Sequence, residues 1–190
     1  KGYNYAEGFD AKWHGVSPFD LKSGKSFKKT GKKSATAIYS LNLLNLAKKY
    51  DNIVGVTAAM PTGTGMDALI DAFPERFWDV AIAEQHAVTS MAAMAKEGFK
   101  PYITIYSTFM QRAYDQVIHD CAIMNLNVVI AMDRAGIVGE DGETHQGAFD
   151  ISFLNAVPNI TMISPRDEVS FKEILDYSYK HKGVLAIRYP

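Results

Sequence analysis

The chain has 190 residues, 47% of them hydrophobic, and a formal net charge of −1. That length can bury a substantial core as one ordinary domain, and so small a charge excludes a field that would make nucleic acid or an anionic membrane the natural partner. The single cysteine, Cys121, cannot close an internal disulfide, which fits a reducing compartment and offers no Cys-rich metal framework. The longest uncharged, apolar-leaning run, Cys121 to Met132, contains two asparagines and is too short to cross a bilayer, and no signal-peptide pattern opens the chain. A cytoplasmic protein acting on small molecules is the expectation. The start at Lys1 without a methionine, and the stop at Pro190 directly after a strand-like run, have the look of a piece of a longer polypeptide.

Residues 1–33 carry eight lysines against Glu7, Asp10 and Asp20, a local charge of +5. Gly, Ser and Lys dominate from Lys22 to Lys33 without apolar periodicity, which predicts a solvated basic arm leading into a domain over 34–190. From Ser34 onward, apolar runs of strand length alternate with stretches of helical period. That is the pattern of an α/β fold with an open, mainly parallel six-stranded sheet covered by helices on both faces. Strands are predicted at Ile53–Thr57, Val80–Ala83, Tyr102–Tyr106, Val128–Met132, Thr161–Ile163 and Val184–Arg188. Helices are predicted at Thr36–Lys49, Met66–Phe73, Glu84–Glu97, Phe109–Met124 and Glu168–Tyr179. The long segment Asp133 to Asp150, rich in Gly and charge, is left as a loop, and loops of that length in compact domains tend to be functional.

Open sheets of this kind bind ligands beyond the carboxyl ends of their strands. On these strands the rule selects Met60, Glu84, Tyr106, Arg134 and Arg188. A carboxylate, a phenol and two guanidiniums along one rim suit a polar, phosphorylated ligand.

Several local motifs compete for attention. Ser23-Gly24-Lys25-Ser26 resembles the end of a phosphate-binding P-loop, but the first glycine of that motif would fall at Phe19 and no strand precedes it. Gly63-Thr64-Gly65-Met66-Asp67-Ala68 matches a dinucleotide fingerprint between a strand and a helix, and Glu84 follows at a suitable distance. Against it, Ala58 to Thr62, including Pro61, separate the strand from the first glycine. Glu84 opens a helix whose next turns, Ala87 to Ala95, are small and apolar. A bland first-turn acid on the helix dipole is one reading; a carboxyl withdrawn from water, able to exchange a proton with a ring nitrogen, is the other. The segment Tyr106 to Gln116 reads as a capped helix with an aromatic stripe, yet Phe109 and Arg112 also suit stacking and anion binding. His145, framed by Gly139, Gly142 and Gly147, is an acid/base candidate, since imidazole exchanges protons near neutral pH. His119 and His181 have no supporting neighbours and read as structural.

Six blocks in order carry a resemblance: Lys12-Trp13-His14-Gly15, Asp79 to Val88, Tyr106 to Gln116, Asp133 to Gly139, Asp141 to Asp150, and Arg188-Tyr189-Pro190. Over nearly the whole chain they resemble the 1-deoxy-D-xylulose-5-phosphate synthase family, within the wider transketolase-like superfamily. The resemblance implies a thiamine diphosphate enzyme that decarboxylates pyruvate and joins the two-carbon fragment to D-glyceraldehyde 3-phosphate, feeding isoprenoid, thiamine and pyridoxal synthesis. It implies Glu84 at the pyrimidine N1′, Phe109 stacked on the pyrimidine and Met60 lining the same pocket. His14 and His145 would move protons at the substrate. Tyr106, Arg112, Arg134, Asp141 and Arg188 would bind the substrate and its phosphate. Family members bind the diphosphate and Mg²⁺ through a Gly-Asp-Gly motif in a preceding domain. No such motif occurs here, so no metal ligand is assigned to this chain, and flanking domains and a homodimer are expected to complete the site. The competing readings are the matching domain of a transketolase or pyruvate dehydrogenase subunit, or a dinucleotide-binding α/β module.

Overall fold

A computed structural model describes all residues except Lys1 and residues 9–12, 14–15, 28–32 and 140. The chain divides into two compact units, Lys1–Lys33 and Ser34–Pro190. In the first, Trp13 meets Tyr3 and Phe19 edge to face, with Trp13 and Phe19 centroids 4.8 Å apart, and Tyr3 and Phe19 are tilted at 44°. Phe19 and Ser26 form an antiparallel bridge, and Asp20 Oδ1 accepts from the backbone N–H and hydroxyl of Ser23, so residues 18–27 make a small hairpin. An Asp bonded to the backbone of its own turn is a local device that needs no large core.

The second unit is a six-stranded sheet with every neighbouring pair parallel, in the order β2-β1-β3-β4-β6-β5. The strands are β1 (Ile53–Thr57), β2 (Phe77–Asp79), β3 (Lys100–Tyr106), β4 (Val129–Asp133), β5 (Ile160–Ile163) and β6 (Val184–Arg188). The helices are α1 (Ala35–Lys49), α2 (Asp67–Ala72), α3 (Glu84–Lys96), α4 (Ser107–Met110), α5 (Tyr114–Gln116), α6 (Asp150–Asn155) and α7 (Glu168–Lys180).

Side chains alternate across a strand, and here the two sets feed two cores. Val54, Val56, Ile103, Ile105, Ile130 and Met132 face α3 and the helical turns after β3. Ile53, Tyr102, Val129, Ala131, Leu185 and Ile187 face α1 and α7. Both faces are therefore dry, which is why β1 and β4 read as continuous apolar runs. The helices are started by ordinary caps: Ser34 Oγ accepts from Ala37 N–H at 3.2 Å, and Asp167 and Ser170 form a reciprocal capping box at the head of α7.

The structure departs from the sequence reading in three places, the first with a clear physical cause. The second strand is Phe77–Asp79, not Val80–Ala83. Phe77 is buried in the space left by Gly55 on β1, where a Cβ would lie 2.8 Å from its ring. Residues 80–83 form a turn instead: Asp79 Oδ1 accepts from Ala59 and Ala81 N–H, Ala81 has φ 58°, and Ile82 is exposed. The helix expected from Phe109 starts at Ser107 and changes winding, with a 3₁₀ turn at Gln111–Ala113 and a π segment at Val117–Ala122. Finally, α6 stands in a stretch for which no helix was expected.

Because β2 lies on one side of β1 and β3 on the other, the chain reverses its direction of winding at β1/β3. The carboxyl ends beside such a reversal form a crevice between diverging loops.

Candidate active site

The loop after β1 and the loop after β3 meet over that crevice. Gly63 is required there, since a Cβ on it would collide with the Tyr106 hydroxyl and lie 3.2 Å from Met60 Cε. Met60 and Tyr106 thus border the same space. Within this loop the N–H groups of Thr64, Gly65, Met66 and Asp67 all donate to the carbonyls of Met60, Pro61 or Thr62. Those four are not free to cradle a pyrophosphate, and Gly63 and Gly65 are explained by close packing against Tyr106 and Ser40, which weakens the dinucleotide reading.

Glu84 is the first residue of α3 and is 2% exposed. Its Oε1 accepts from Arg112 Nη1 at 2.8 Å, while no described residue bonds Oε2. Arg112, expected among the phosphate ligands, therefore stands with the carboxylate, its guanidinium 5.3 Å from the centroid of Phe109. Phe109 stacks on Tyr106 with an interplanar angle of 7°, and His145 meets both rings edge-on, 5.3 Å from Phe109 and 6.2 Å from Tyr106. Burial raises the Tyr106 phenol above its ordinary value, against the pull of Arg134.

The far side of Tyr106 is covered by Arg134, 4.8 Å from the ring centroid. Arg134 has φ 59°, a conformation that costs a non-glycine residue free energy and is held by its surroundings. The holding group is the buried Asp133, whose Oδ1 accepts from the Arg134 backbone N–H at 2.8 Å and from Nη1 at 2.7 Å. Thr36, on α1, donates to Asp133 Oδ2 at 2.8 Å and accepts from Arg134 Nη1 at 3.1 Å. Burial pushes the Asp133 carboxyl up, with Arg134 and Thr36 opposing. Asp141 accepts from Arg134 Nε at 2.8 Å. No described residue bonds Arg134 Nη2.

The described residues of the segment 133–150 carry their own hydrogen bonds and form a lobe. Gly136 and Gly147 exchange backbone hydrogen bonds, and Gln146 bridges Val138 N–H and the Asp141 carbonyl. Gly147 must be glycine because a Cβ would meet the Arg134 carbonyl and Ser107 Oγ. This clasp folds the lobe back against β3 and sets His145 on the aromatic pair. Arg188, at the end of β6, donates from Nε to Asp150 Oδ2 at 2.9 Å and from Nη2 to Oδ1 at 3.3 Å. Its Nη2 lies 4.0 Å from a Cβ placed on Gly136, so Arg188 borders the same lobe, and no described residue bonds its Nη1.

Of the residues selected from sequence, the structure gathers Glu84, Phe109, Arg112, Tyr106, His145, Arg134 and Asp141 into one contact chain, with Met60 beside Tyr106. Arg188 stands apart with Asp150. His14, like Lys12 and Gly15, lies outside the described residues. Sequence reasoning missed Thr36, Asp133 and Asp150 as the partners that orient the arginines, and also Ser107, whose buried Oγ has no hydrogen-bond partner. Asp133 was adjacent to Arg134 and could have been noticed; Thr36 and Asp150 are brought in only by the fold. Among the described residues no group of three or more His, Cys, Asp or Glu could hold a metal ion, and no helix is long and apolar enough to cross a membrane.

This parallel sheet has counterparts among known proteins. Residues 32–190 match the model for the transketolase pyrimidine-binding domain, and the chain belongs to that family. Within it, the chain is 80% identical to the 1-deoxy-D-xylulose-5-phosphate synthase of Campylobacter hominis and 73% identical to that of Campylobacter jejuni, in each case over the whole chain and 31% of the relative. It therefore spans about a third of these relatives' length. Among solved structures, a split-gene transketolase described as an inactive beta4 tetramer aligns with a TM-score of 0.72 and 28% identity, over 83% of this chain and 52% of that one. A Pichia stipitis transketolase mutant shares the fold at TM-score 0.72 and 18% identity, over 85% of this chain and 26% of that one.

Proposed function

We propose that the chain supplies the pyrimidine side of a thiamine diphosphate site in a synthase that condenses pyruvate, with loss of CO₂, and D-glyceraldehyde 3-phosphate to 1-deoxy-D-xylulose 5-phosphate, the first step of a non-mevalonate isoprenoid route. The observation that carries this reading is the buried Glu84 carboxylate, open at Oε2, beside the Phe109–Tyr106 stack. The 80% identity to a synthase of that name supports it.

The residues fit the cofactor. Glu84 Oε2 is available to a ring nitrogen, and Phe109 offers a half-exposed aromatic face. When bound, thiamine diphosphate supplies the electron sink on which an α-keto acid can lose CO₂. Glu84 holds or moves the proton at N1′ of the pyrimidine, Phe109 stacks on that ring, and Met60 closes its side. Arg112 fixes the Glu84 carboxylate in place through Oε1. His145, braced edge-on against Phe109, exchanges protons with the substrate, and His14 shares that role on the sequence resemblance. The uncommitted Arg134 Nη2 and Arg188 Nη1, with the Tyr106 phenol and Asp141, bind the aldehyde substrate and its phosphate, because guanidinium groups match phosphate oxygens in pairs.

The chain carries no diphosphate or Mg²⁺ ligands in this reading. Other domains of the same polypeptide, in a cytoplasmic homodimer, supply them, and residues 1–33 serve as the arm between domains. Calorimetry on the complete protein tests it: thiamine diphosphate with Mg²⁺ binds, and NAD does not. Binding of NAD with no binding of thiamine diphosphate contradicts it.

A further inference from the structure

At the opposite, amino-terminal edge of the sheet, a cavity of about 250 Å³ is lined by Asn52, Lys100, Asn127, Lys180, His181 and Lys182 among others. Lys100 opens β3, and Tyr106 closes it. At about 3.3 Å per residue the strand sets the cavity roughly 20 Å from the crevice described above.

The chemistry of its walls is one-sided. Lys100 is 4% exposed, and the acceptor for its Nζ is the His181 carbonyl at 3.0 Å. No carboxylate lines the cavity. Both asparagines have their oxygens engaged: Asn52 Oδ1 accepts from Tyr179 at 3.2 Å, and Asn127 Oδ1 accepts from Gly183 N–H at 2.8 Å. Their amide N–H groups have no partner among the described residues. Lys180 and Lys182 add two exposed ammonium groups at the mouth. An ammonium withdrawn from water without a counter-charge is costly, and a wall whose named acceptors are already engaged and whose free groups are donors suits an anion better than a cation.

We propose that this cavity is a binding site for a small tetrahedral oxyanion of the phosphate class, with Lys100 as its floor and Lys182 and the Asn52 and Asn127 amides as its sides. The site is remote from the candidate active site and independent of it. Its contacts are charge-assisted hydrogen bonds, which gain strength in a partly desolvated recess. In the absence of an anion, burial and the neighbouring Lys182 bring Lys100 down to about 8. His181, whose imidazole faces Tyr177 and is held below its ordinary value by burial and by Lys100, adds little positive charge at neutral pH. Lys180 and Lys182 keep the mouth cationic. An anion in the recess would therefore bind best while Lys100 is protonated.

The test is calorimetric titration with sulfate, whose charge is constant from pH 6 to 9, at fixed ionic strength. The complete protein carries Arg134→Ala throughout, which weakens the candidate substrate-phosphate site, and is titrated in the presence of saturating thiamine diphosphate and Mg²⁺, so that the diphosphate site is filled. One saturable site is expected, weakened tenfold or more by Lys100→Met and also by the surface change Lys182→Ala. Its affinity should fall as pH rises from 7 to 9. Inorganic phosphate at pH 7 should compete with sulfate for it. No saturable binding, or binding unaffected by both lysine changes, overturns the proposal. Should Lys100→Met fail to fold, Lys182→Ala and the pH series still decide it. Because Arg134 is already absent, failure here leaves the thiamine diphosphate reading untouched.

Discussion

Arg134 and Arg188 end up as unlike residues although both sit at strand ends of one rim. Arg188 is clamped by two hydrogen bonds to Asp150, a carboxylate 1% exposed, so its removal leaves a buried charge without its partner. Breaking such a pair from one side costs about 3 kcal/mol or more. Arg134 is shared among Asp133, Thr36 and Asp141 and leans on the Tyr106 ring with one nitrogen uncommitted. In the complete protein, Arg188→Ala and Arg134→Ala both lower the denaturation midpoint, because Asp133 is as buried as Asp150 and loses its partner in the same way; the two are separated by substrate dependence. Arg134→Ala costs one to three powers of ten in kcat/KM with D-glyceraldehyde 3-phosphate, and much less with unphosphorylated glyceraldehyde, as expected for about 2 to 4 kcal/mol of lost charged contact. Equal losses on both substrates would make Arg134 a structural residue. Most of the candidate side chains were selected from the sequence because the ends of β1, β3, β4 and β6 and the start of α3 could be located to within one residue; the end of β2, expected at Ala83 and found at Asp79, could not. The partners of those side chains were not legible in it, since Thr36 and Asp150 reach the arginines across 98 and 38 positions of chain.

At the scale of elements, legibility followed the strength of the local signal. The strands β1, β4 and β6 are apolar on both faces and were found by that property, and α3 and α7 by their helical period. The edge strand β2 was misplaced because Val80–Ala83 is the more apolar run, whereas the strand is fixed by the fit of Phe77 to Gly55 on its neighbour. Such cross-strand complementarity has no one-dimensional signature. The start of α7 is a local signal that also makes a pH prediction. Asp167 is held down at about 2 by the backbone N–H and side chain of Ser170 and by Arg166. A carboxylate lowered on folding contributes stability above its unfolded value near 4 and loses it as pH falls through 2. Asp167→Ala should therefore be less stable than the parent at pH 6, with the difference shrinking steadily below pH 4. Urea unfolding across that range measures it, and a difference unchanged down to pH 2 would mean the cap is not formed.

On the scale of the whole molecule, the parallel sheet reverses its winding at β1/β3 and gathers its chemistry at one end, where the loops after β1, β3 and β4 meet. On the proposed reading, that arrangement offers the cofactor's pyrimidine ring the Glu84 carboxylate and the Phe109 face, while the diphosphate ligands come from other domains. The 190-residue chain by itself should accordingly show no synthase activity and only weak affinity for thiamine diphosphate, independent of Mg²⁺, in calorimetry. Tight Mg²⁺-dependent binding by this chain alone would place the diphosphate site within it. The central claim concerns Glu84, and exchange of the thiazolium C2 proton in bound thiamine diphosphate, followed by NMR after transfer to D₂O, reads it most directly. Glu84→Gln in the complete protein should slow that exchange by about two powers of ten or more, the usual scale for loss of a general acid/base, with the fold intact. Exchange at the parent rate in a correctly folded Glu84→Gln protein would contradict the account.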